Sequence, residues 1–449
     1  MTTVANKRDK LMVDSEVLFR RLLAVSKKRD VSLEQVLTHE LAPVPPSLFN
    51  NDGTMRKTNK ADLAKKLEAN CEEVQVLEPS DQHDTAYVID GMALLQALDE
   101  AQFDTFDDLG RTIMQKIQSL LASNQGVTSV TLVFDRYDVP LSIRQLERER
   151  RTGGESTPRY VIDGQRTVPN YRKFLKNTTN KSALADFLCS YLTVAAQLQL
   201  EENQCVTLAG GFNDGLLVKV VDHRGIRELP ELFSTHGEAD TRLLLHAIHL
   251  ARAHSRVIVR CDDTDVLVLL IYYCGKGMFG DTKVYMNAGH CTKTTNRQRF
   301  IPVSRITDDI GQDTSSCLPA SHAISGCDTT SSLFKVGKRT AYSKLKQNIA
   351  HLAPLSRLGQ TRDTTNVVST ATKYALSLYG SKSSHTLDQL RYVYACTSDK
   401  QASLFPPTDD AFEQHLKRAN YQVAIWTHSH DDDGGIFSFS GDTVTHHFG

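Results

Sequence analysis

The sequence predicts an α/β fold: a mostly parallel twisted sheet with helices on both faces and helical extensions at the amino and carboxyl ends. Three observations predict it. Short apolar runs alternate with segments whose apolar residues recur at helical spacing, the pattern of βαβ units. Four of those runs end in acids or lead straight into them. The 449 residues are 40% hydrophobic and 23% charged, ordinary values for a chain that buries a core. Lys and Arg number 52 against 53 Asp and Glu, so the formal net charge is -1. That balance excludes a uniformly basic nucleic-acid coat and a polyanionic tail, and it leaves local patches open.

Residues 1–80 read as a helical accessory region. Ser32 ahead of Gln35 has the spacing of a capping box before Leu33, Val36 and Leu37. Pro43, Pro45, Pro46 and Asn51-Asp52-Gly53 interrupt the chain, and Leu63, Leu67 and Val74 resume a helical period. The core is expected over 81–345. Ala86-Tyr87-Val88-Ile89-Asp90 is its first strand, and Leu109, Ile113, Ile117, Leu120 and Leu121 line the helix that follows. Val130 to Asp135 is the second strand. A charged stretch, Arg144 to Lys181, precedes a helix near 183–198. Further strands are expected at 205–208, 216–221, 256–260 and 283–286, with 210–234 forming an inserted hairpin. From 346 a helical extension runs into a loose polar tail after His428.

The nine cysteines are odd in number and form no Cys-x-x-Cys pair, so reduced, buried thiols are expected. The longest apolar run, Val266 to Cys274, falls short of the ~20 residues of a membrane span. Met1 to Lys10 lack a secretory apolar stretch. The expectation is an intracellular protein, nuclear rather than cytoplasmic, with no membrane partner. The basic groups Lys7-Arg8, Arg20-Arg21 and Lys27-Lys28-Arg29 read as helix surface, being interleaved with Leu18, Leu22 and Leu23.

The acids carry the chemistry. Asp90, Asp135, Asp262-Asp263-Thr264-Asp265 and Asp328 follow apolar runs, and Glu238 and Asp240 open the helix at 241–253. In an open parallel sheet, ligands gather outside the carboxyl ends of the strands, so acids placed there repeatedly converge on one crevice. Each neighbouring carboxylate raises the others' pKa values, and divalent cations relieve the repulsion. Mg²⁺ or Mn²⁺ prefers hard oxygen ligands. Two such ions about 4 Å apart can activate water and stabilise both oxygens of an in-line phosphodiester displacement. An acid after a strand is also an ordinary helix cap or turn residue. The reading therefore belongs to the set and not to any one member.

Taken in order, these segments resemble the structure-specific 5′ nuclease family of flap and excision-repair (XPG-type) endonucleases, within the PIN-like superfamily. Tyr87-Val88-Ile89-Asp90-Gly91 resembles the family's first strand and its metal-binding Asp. Val133-Phe134-Asp135 through Pro140 is similar to its Val-Phe-Asp-Gly-x-Pro-Pro segment. Gly237-Glu238-Ala239-Asp240 looks like Glu-Ala-Glu-Ala with Asp for the second Glu. Cys261-Asp262-Asp263-Thr264-Asp265-Val266-Leu267 is similar to Thr-Glu-Asp-x-Asp-x-Leu, and Ile324 to Asp328 mirrors Leu-Gly-x-Asp-Tyr after a helix like Ser304–Ile310. The resemblance covers roughly 84–345 and implies a PIN-like metal-dependent nuclease acting on DNA or RNA with two Mg²⁺ or Mn²⁺ ions. Asp90, Asp135, Glu238 and Asp240 would hold one metal region, and Asp263, Asp265 and Asp328 the second. The combination also looks like uncharacterised proteins of animal genomes, some derived from mobile elements.

The resemblance further implies an arch at 141–181, where Arg144, Arg148, Arg150, Arg151 and Lys173 would hold strands, with Tyr171 and Phe174 offered for stacking. A helix-hairpin-like segment at 326–345 would place Lys335, Lys338 and Arg339 on phosphates. Three departures stand out: some eighty residues precede the first strand, 210–234 is long, and Phe334-Lys335-Val336-Gly337 keeps one glycine of Gly-x-Gly. Two alternatives remain: a non-enzymatic nucleic-acid-binding or scaffold protein on the same fold, and a phosphotransfer enzyme of the Toprim or phosphatase type using Glu238, Asp263 and Asp265. Protein partners would engage 1–80 and 346–449. The histidine-rich tail with His428 and His430 reads as a polar terminus.

Overall fold

The computed structural model describes residues 2–5, 10–13, 15–29, 31–69, 71, 77, 84–123, 125–136, 158–235, 239–289, 298–360, 365–381, 384–397 and 401–428. They fall into two compact units, one gathering Met1–Lys66 with Gln312–Thr427 and one built on Leu67–Gly311. Residues 312–345, expected in the core, thus group with both terminal regions.

The first unit opens with an antiparallel hairpin, β1 (Thr2–Ala5) and β2 (Lys10–Val13), followed by helices α1 (Ser15–Ser26), α2 (Leu33–Leu37) and α3 (Ala61–Glu68). The wholly helical expectation for 1–80 missed this hairpin because its strands are too short to show a period. Ser32 caps α2 as its spacing predicts, accepting the Gln35 amide at 3.3 Å. Phe19, Leu37 and Leu41 share a small core with Ala402 and Phe405.

The second unit is a mixed eight-stranded sheet in the order β10-β9-β8-β3-β4-β5-β6-β7. Its parallel centre comprises β3 (Thr85–Asp90), β4 (Val127–Val133), β5 (Cys205–Ala209), β8 (Arg256–Arg260) and β9 (Lys283–Ala288). The expected insertion is the antiparallel hairpin β6 (Val218–Asp222) and β7 (Gly225–Glu228), and β10 (Arg299–Pro302) closes the other edge antiparallel to β9. Thr85 to Ile89 are all buried, as a strand covered on both faces requires; β-branched and aromatic residues suit that place.

Chain order sets where a site can form. From β3 the chain steps to β4 and β5 on one side, then returns to lay β8 and β9 on the other. The switch point therefore lies between β3 and β8, and a crevice opens there at the carboxyl ends of the strands. The connecting helices are α4 (Gly91–Gln96), α5 (Phe106–Leu121), α6 (Tyr171–Phe174), α7 (Thr178–Gln199), α8 (Ala239–Ala251), α9 (Thr264–Gly275) and α10 (Val303–Ile310). Leu109, Ile113 and Ile117 of α5 meet Leu184, Leu188 and Leu192 of α7 in the main core with Tyr87 and Ile89. Gly91 permits close packing at the crevice: a Cβ there would stand 2.5 Å from the Phe134 ring.

The first unit resumes with α11 (Gln312–Ile324), α12 (Lys338–Gln347), α13 (Thr365–Leu378), α14 (Leu387–Thr397) and α15 (Asp409–Thr427). His415 on α15 meets the Ile324 carbonyl of α11 at 2.8 Å, and Trp426 stacks on His322. Asp388 and Asp409 cap each other's helices, with Leu387 N–H donating to Asp409 Oδ1 and Asp409 N–H to Asp388 Oδ1. Among the described residues no helix is long and apolar enough to cross a membrane.

Candidate metal centre

Three parallel strands deliver the acids to the switch point. β3 ends on Asp90, which stands opposite Val133 of β4, so Asp135 lies two residues beyond that level. β8 ends on Arg260 opposite Ile89, and Cys261, Asp262 and Asp263 follow. α8 begins at Ala239 and brings Asp240 into its first turn.

Each acid is positioned by a helix start. Asp90 caps α4, accepting the Ala93 amide at 2.9 Å. Asp263 caps α9, accepting the Asp265 amide at 2.9 Å. Asp135 Oδ1 accepts the Ala239 amide at 2.8 Å, tying the end of β4 to the start of α8. The bland alternative is thus realised as well: these carboxylates do hold helix amides. Capping explains one acid per helix, yet the acids also converge. One carboxylate oxygen from each of Asp240, Asp263 and Asp265 lies within 4.8 Å of the others, about the span of ligands around one divalent ion with bonds of roughly 2.1–2.5 Å. Asp240 and Asp265 are buried and Asp263 half-buried.

Electrostatics tie the remaining strand ends to this group. Burial pushes the Asp90 carboxyl up to about 7, and the charges of Asp135 and Asp263 add to the rise against the helix amides that lower it. Burial likewise drives the Cys261 thiol upward, with Asp90, Asp263 and Asp240 adding to it. The thiol sits among the acids as a protonated filler, accepting the Asp263 amide at 3.4 Å. Asp90, Asp135, Asp240, Asp263 and Asp265 therefore form one electrostatic neighbourhood. Their donor atoms are hard carboxylate oxygens, which suit Mg²⁺ or Mn²⁺ over softer metals. Buried beside them, Arg242 donates through its guanidinium to the carbonyls of Phe134 and Gly215, both at 3.3 Å. Sequence reading passed over Arg242; an arginine between apolar helix positions is its only signal.

The other expected residues fare differently. Glu238 lies outside the described residues, as do Arg144, Arg148, Arg150 and Arg151. Asp328 belongs to the first unit, where its carboxylate pairs with Lys60 at 3.0 Å and its carbonyl accepts Lys57 Nζ at 2.6 Å. Lys338 is a correction. It is 1% exposed, and its ammonium donates to the His322 carbonyl at 2.6 Å and Ser325 Oγ at 2.9 Å. It holds α12 to α11 and is closed to phosphate. Tyr171 and Phe174 are also corrections: both are buried, Tyr171 donating to the Leu95 carbonyl and Phe174 packing on Phe106, so neither stacks on bases. Lys173, Lys335 and Arg339 are exposed, Arg339 standing 3.8 Å from Asp62.

Neither a protein-family model nor a curated protein matches the chain. Among solved structures, the catalytic core of Rad2 in complex with DNA substrate is similar at 15% identity and a TM-score of 0.36, over 82% of this chain and 98% of that one.

Proposed function

We propose that this chain is a metal-dependent nuclease that hydrolyses phosphodiester bonds in structured or single-stranded DNA or RNA. The observation that carries the proposal is the convergence of Asp240, Asp263 and Asp265 within 4.8 Å at the switch point of a parallel sheet. Asp90 and Asp135 extend the same cluster, and Glu238 stands two residues before Asp240 in sequence.

Two Mg²⁺ or Mn²⁺ ions held by these acids would supply charge neutralisation and an activated water for in-line displacement. The chain's own contribution is orientation. Helix amides fix one oxygen each of Asp90, Asp135 and Asp263, so the cluster meets substrate without rearranging. Lys173 and the basic stretch Arg144–Arg151 would attract the phosphate backbone. The resemblance also assigns Asp328 to the second ion; here Lys60 holds that carboxylate.

The test is cleavage of flap, nicked and single-stranded substrates, DNA and RNA, by the full chain with Mg²⁺ or Mn²⁺. The expected result is metal-dependent hydrolysis that Asp263→Ala combined with Asp265→Ala reduces by about 10³-fold or more. Full activity in that double variant sinks the proposal. The same assay on Asp328→Ala decides the assignment of that residue. A scaffold on this fold would show no cleavage and no stabilisation by metal. The Toprim or phosphatase alternative has no use for Asp90 or Asp135; Asp90, which feels the charges of both Asp135 and Asp263, favours the nuclease.

A further inference from the structure

Beside the acid cluster, at the switch point itself, lies a small pocket of about 50 Å³ that opens to solvent, room for a phosphate group. Among the described residues Ile89 and Asp90 of β3, Ala93, Leu94 and Ala97 beside them, and Arg260, Cys261, Asp262, Asn287 and Gly289 line it. One wall is therefore apolar, from α4, and the opposite wall polar, from the ends of β8 and β9.

Arg260 is the unusual member. It is in register with Ile89 on one side and Asn287 on the other, which centres it in the polar wall. It is half-buried, yet among the described residues its guanidinium has neither a hydrogen-bond acceptor nor a carboxylate at ion-pair distance. Asp262, two residues on, accepts the Gly289 amide at 2.5 Å instead of pairing with it. Asn287, in register with Arg260, is 1% exposed, and its Oδ1 accepts Gln298 Nε2 at 3.1 Å. A half-buried guanidinium that lines a pocket and has no acceptor among the described residues makes a site for an oxyanion, because the fold leaves its charge to an incoming acceptor.

We infer that this pocket is a phosphate subsite: Arg260 holds a phosphate of the bound strand next to the metal centre. The inference rests on the nuclease reading and deepens it. Arg260 becomes a positioning residue on the rigid sheet, independent of the basic segment at 144–151. A guanidinium serves here because it binds phosphate in a bidentate fork.

The experiment is fluorescence anisotropy of a short labelled oligothymidylate with the full chain, in Ca²⁺ so that the carboxylates are neutralised. Arg260→Gln is expected to weaken binding about tenfold and to lower the salt dependence by about one phosphate contact, with Arg260→Lys restoring part of it. The melting temperature of Arg260→Gln should stay close to the wild-type value, since no hydrogen bond or ion pair among the described residues is lost. Binding by Arg260→Gln within about twofold of wild type overturns the inference, as does failure of the wild type to bind the strand. Stabilisation by thymidine monophosphate, with strand binding untouched by the substitution, overturns it in favour of a free-nucleotide site. Cleavage separates the two readings. A wild type that binds through Arg260 but does not cut defeats the nuclease reading alone; one that cuts while Arg260→Gln binds normally defeats the subsite alone.

Discussion

Asp90 and Asp328 both follow short apolar runs, and the two units treat them in opposite ways. In the second unit Asp90 is buried beside like charge: burial first, and then the charges of Asp135 and Asp263, raise its pKa against the backbone amides that lower it. In the first unit Asp328 meets a lysine ammonium at 3.0 Å, with a second lysine on its carbonyl. A carboxylate given a protein cation is already satisfied. Carboxylates gathered together at strand ends store unfavourable energy that a bound divalent ion releases. The contrast teaches that the identity of an acid's neighbour, not its place after a strand, separates a structural acid from a candidate metal ligand.

The largest expected effect breaks the satisfied side of this contrast. Lys60→Met should lower stability by about 1–3 kcal/mol in chemical denaturation, because it removes the ammonium 3.0 Å from a mostly buried carboxylate, and adding Asp328→Asn should restore part of the loss. A loss below about 0.5 kcal/mol would show that the pair contributes nothing. On the other side, Gly91→Ala should cost about 1–3 kcal/mol by driving a methyl group into the Phe134 ring. It should also weaken metal binding, since Phe134 leads directly into Asp135; an unchanged metal affinity would mean that the strand end moves independently of the acids.

Asp90 gives a smaller, pH-dependent effect. Its carboxyl titrates near 7 when folded and near 3.8 when unfolded, so the native state binds more protons between those values and loses stability as pH rises through them. Asp90→Asn keeps a side chain able to cap α4 and removes the charge. The metal-free variant should therefore match the wild type near pH 4 and exceed it by roughly 1–3 kcal/mol at pH 8, read from melts across that range. An advantage largest at low pH would contradict the assigned shift. The smallest effect belongs to the exposed pair Arg339–Asp62, whose removal by Arg339→Ala should change stability by less than about 0.5 kcal/mol.

Much of the sheet and the acid set was legible in the sequence because buried parallel strands leave unbroken apolar runs. Ala86–Asp90, Val130–Val133 and Arg256–Arg260 announce themselves, and Asp90, Asp135 and Asp263 stand at their ends or within three residues beyond. What the sequence hid depends on packing between distant residues. Lys338 looks like any lysine in a basic run until the His322 carbonyl and Ser325 hydroxyl enclose it. Tyr171 and Phe174 lie among charged residues, yet the core takes them because their rings fill space beside Phe103 and Phe106. Arg260 reads as a polar strand end; only its register between Ile89 and Asn287 places it in the crevice.

The central claim is that the strand-end acids form a divalent metal site. Titration of the full chain with Mn²⁺, followed by electron paramagnetic resonance, tests it most directly. The account predicts saturable binding that Asp240→Asn combined with Asp263→Asn abolishes and that Arg339→Ala leaves intact. Mn²⁺ that stays free in the presence of the wild type, or that binds equally well to the double variant, would contradict it.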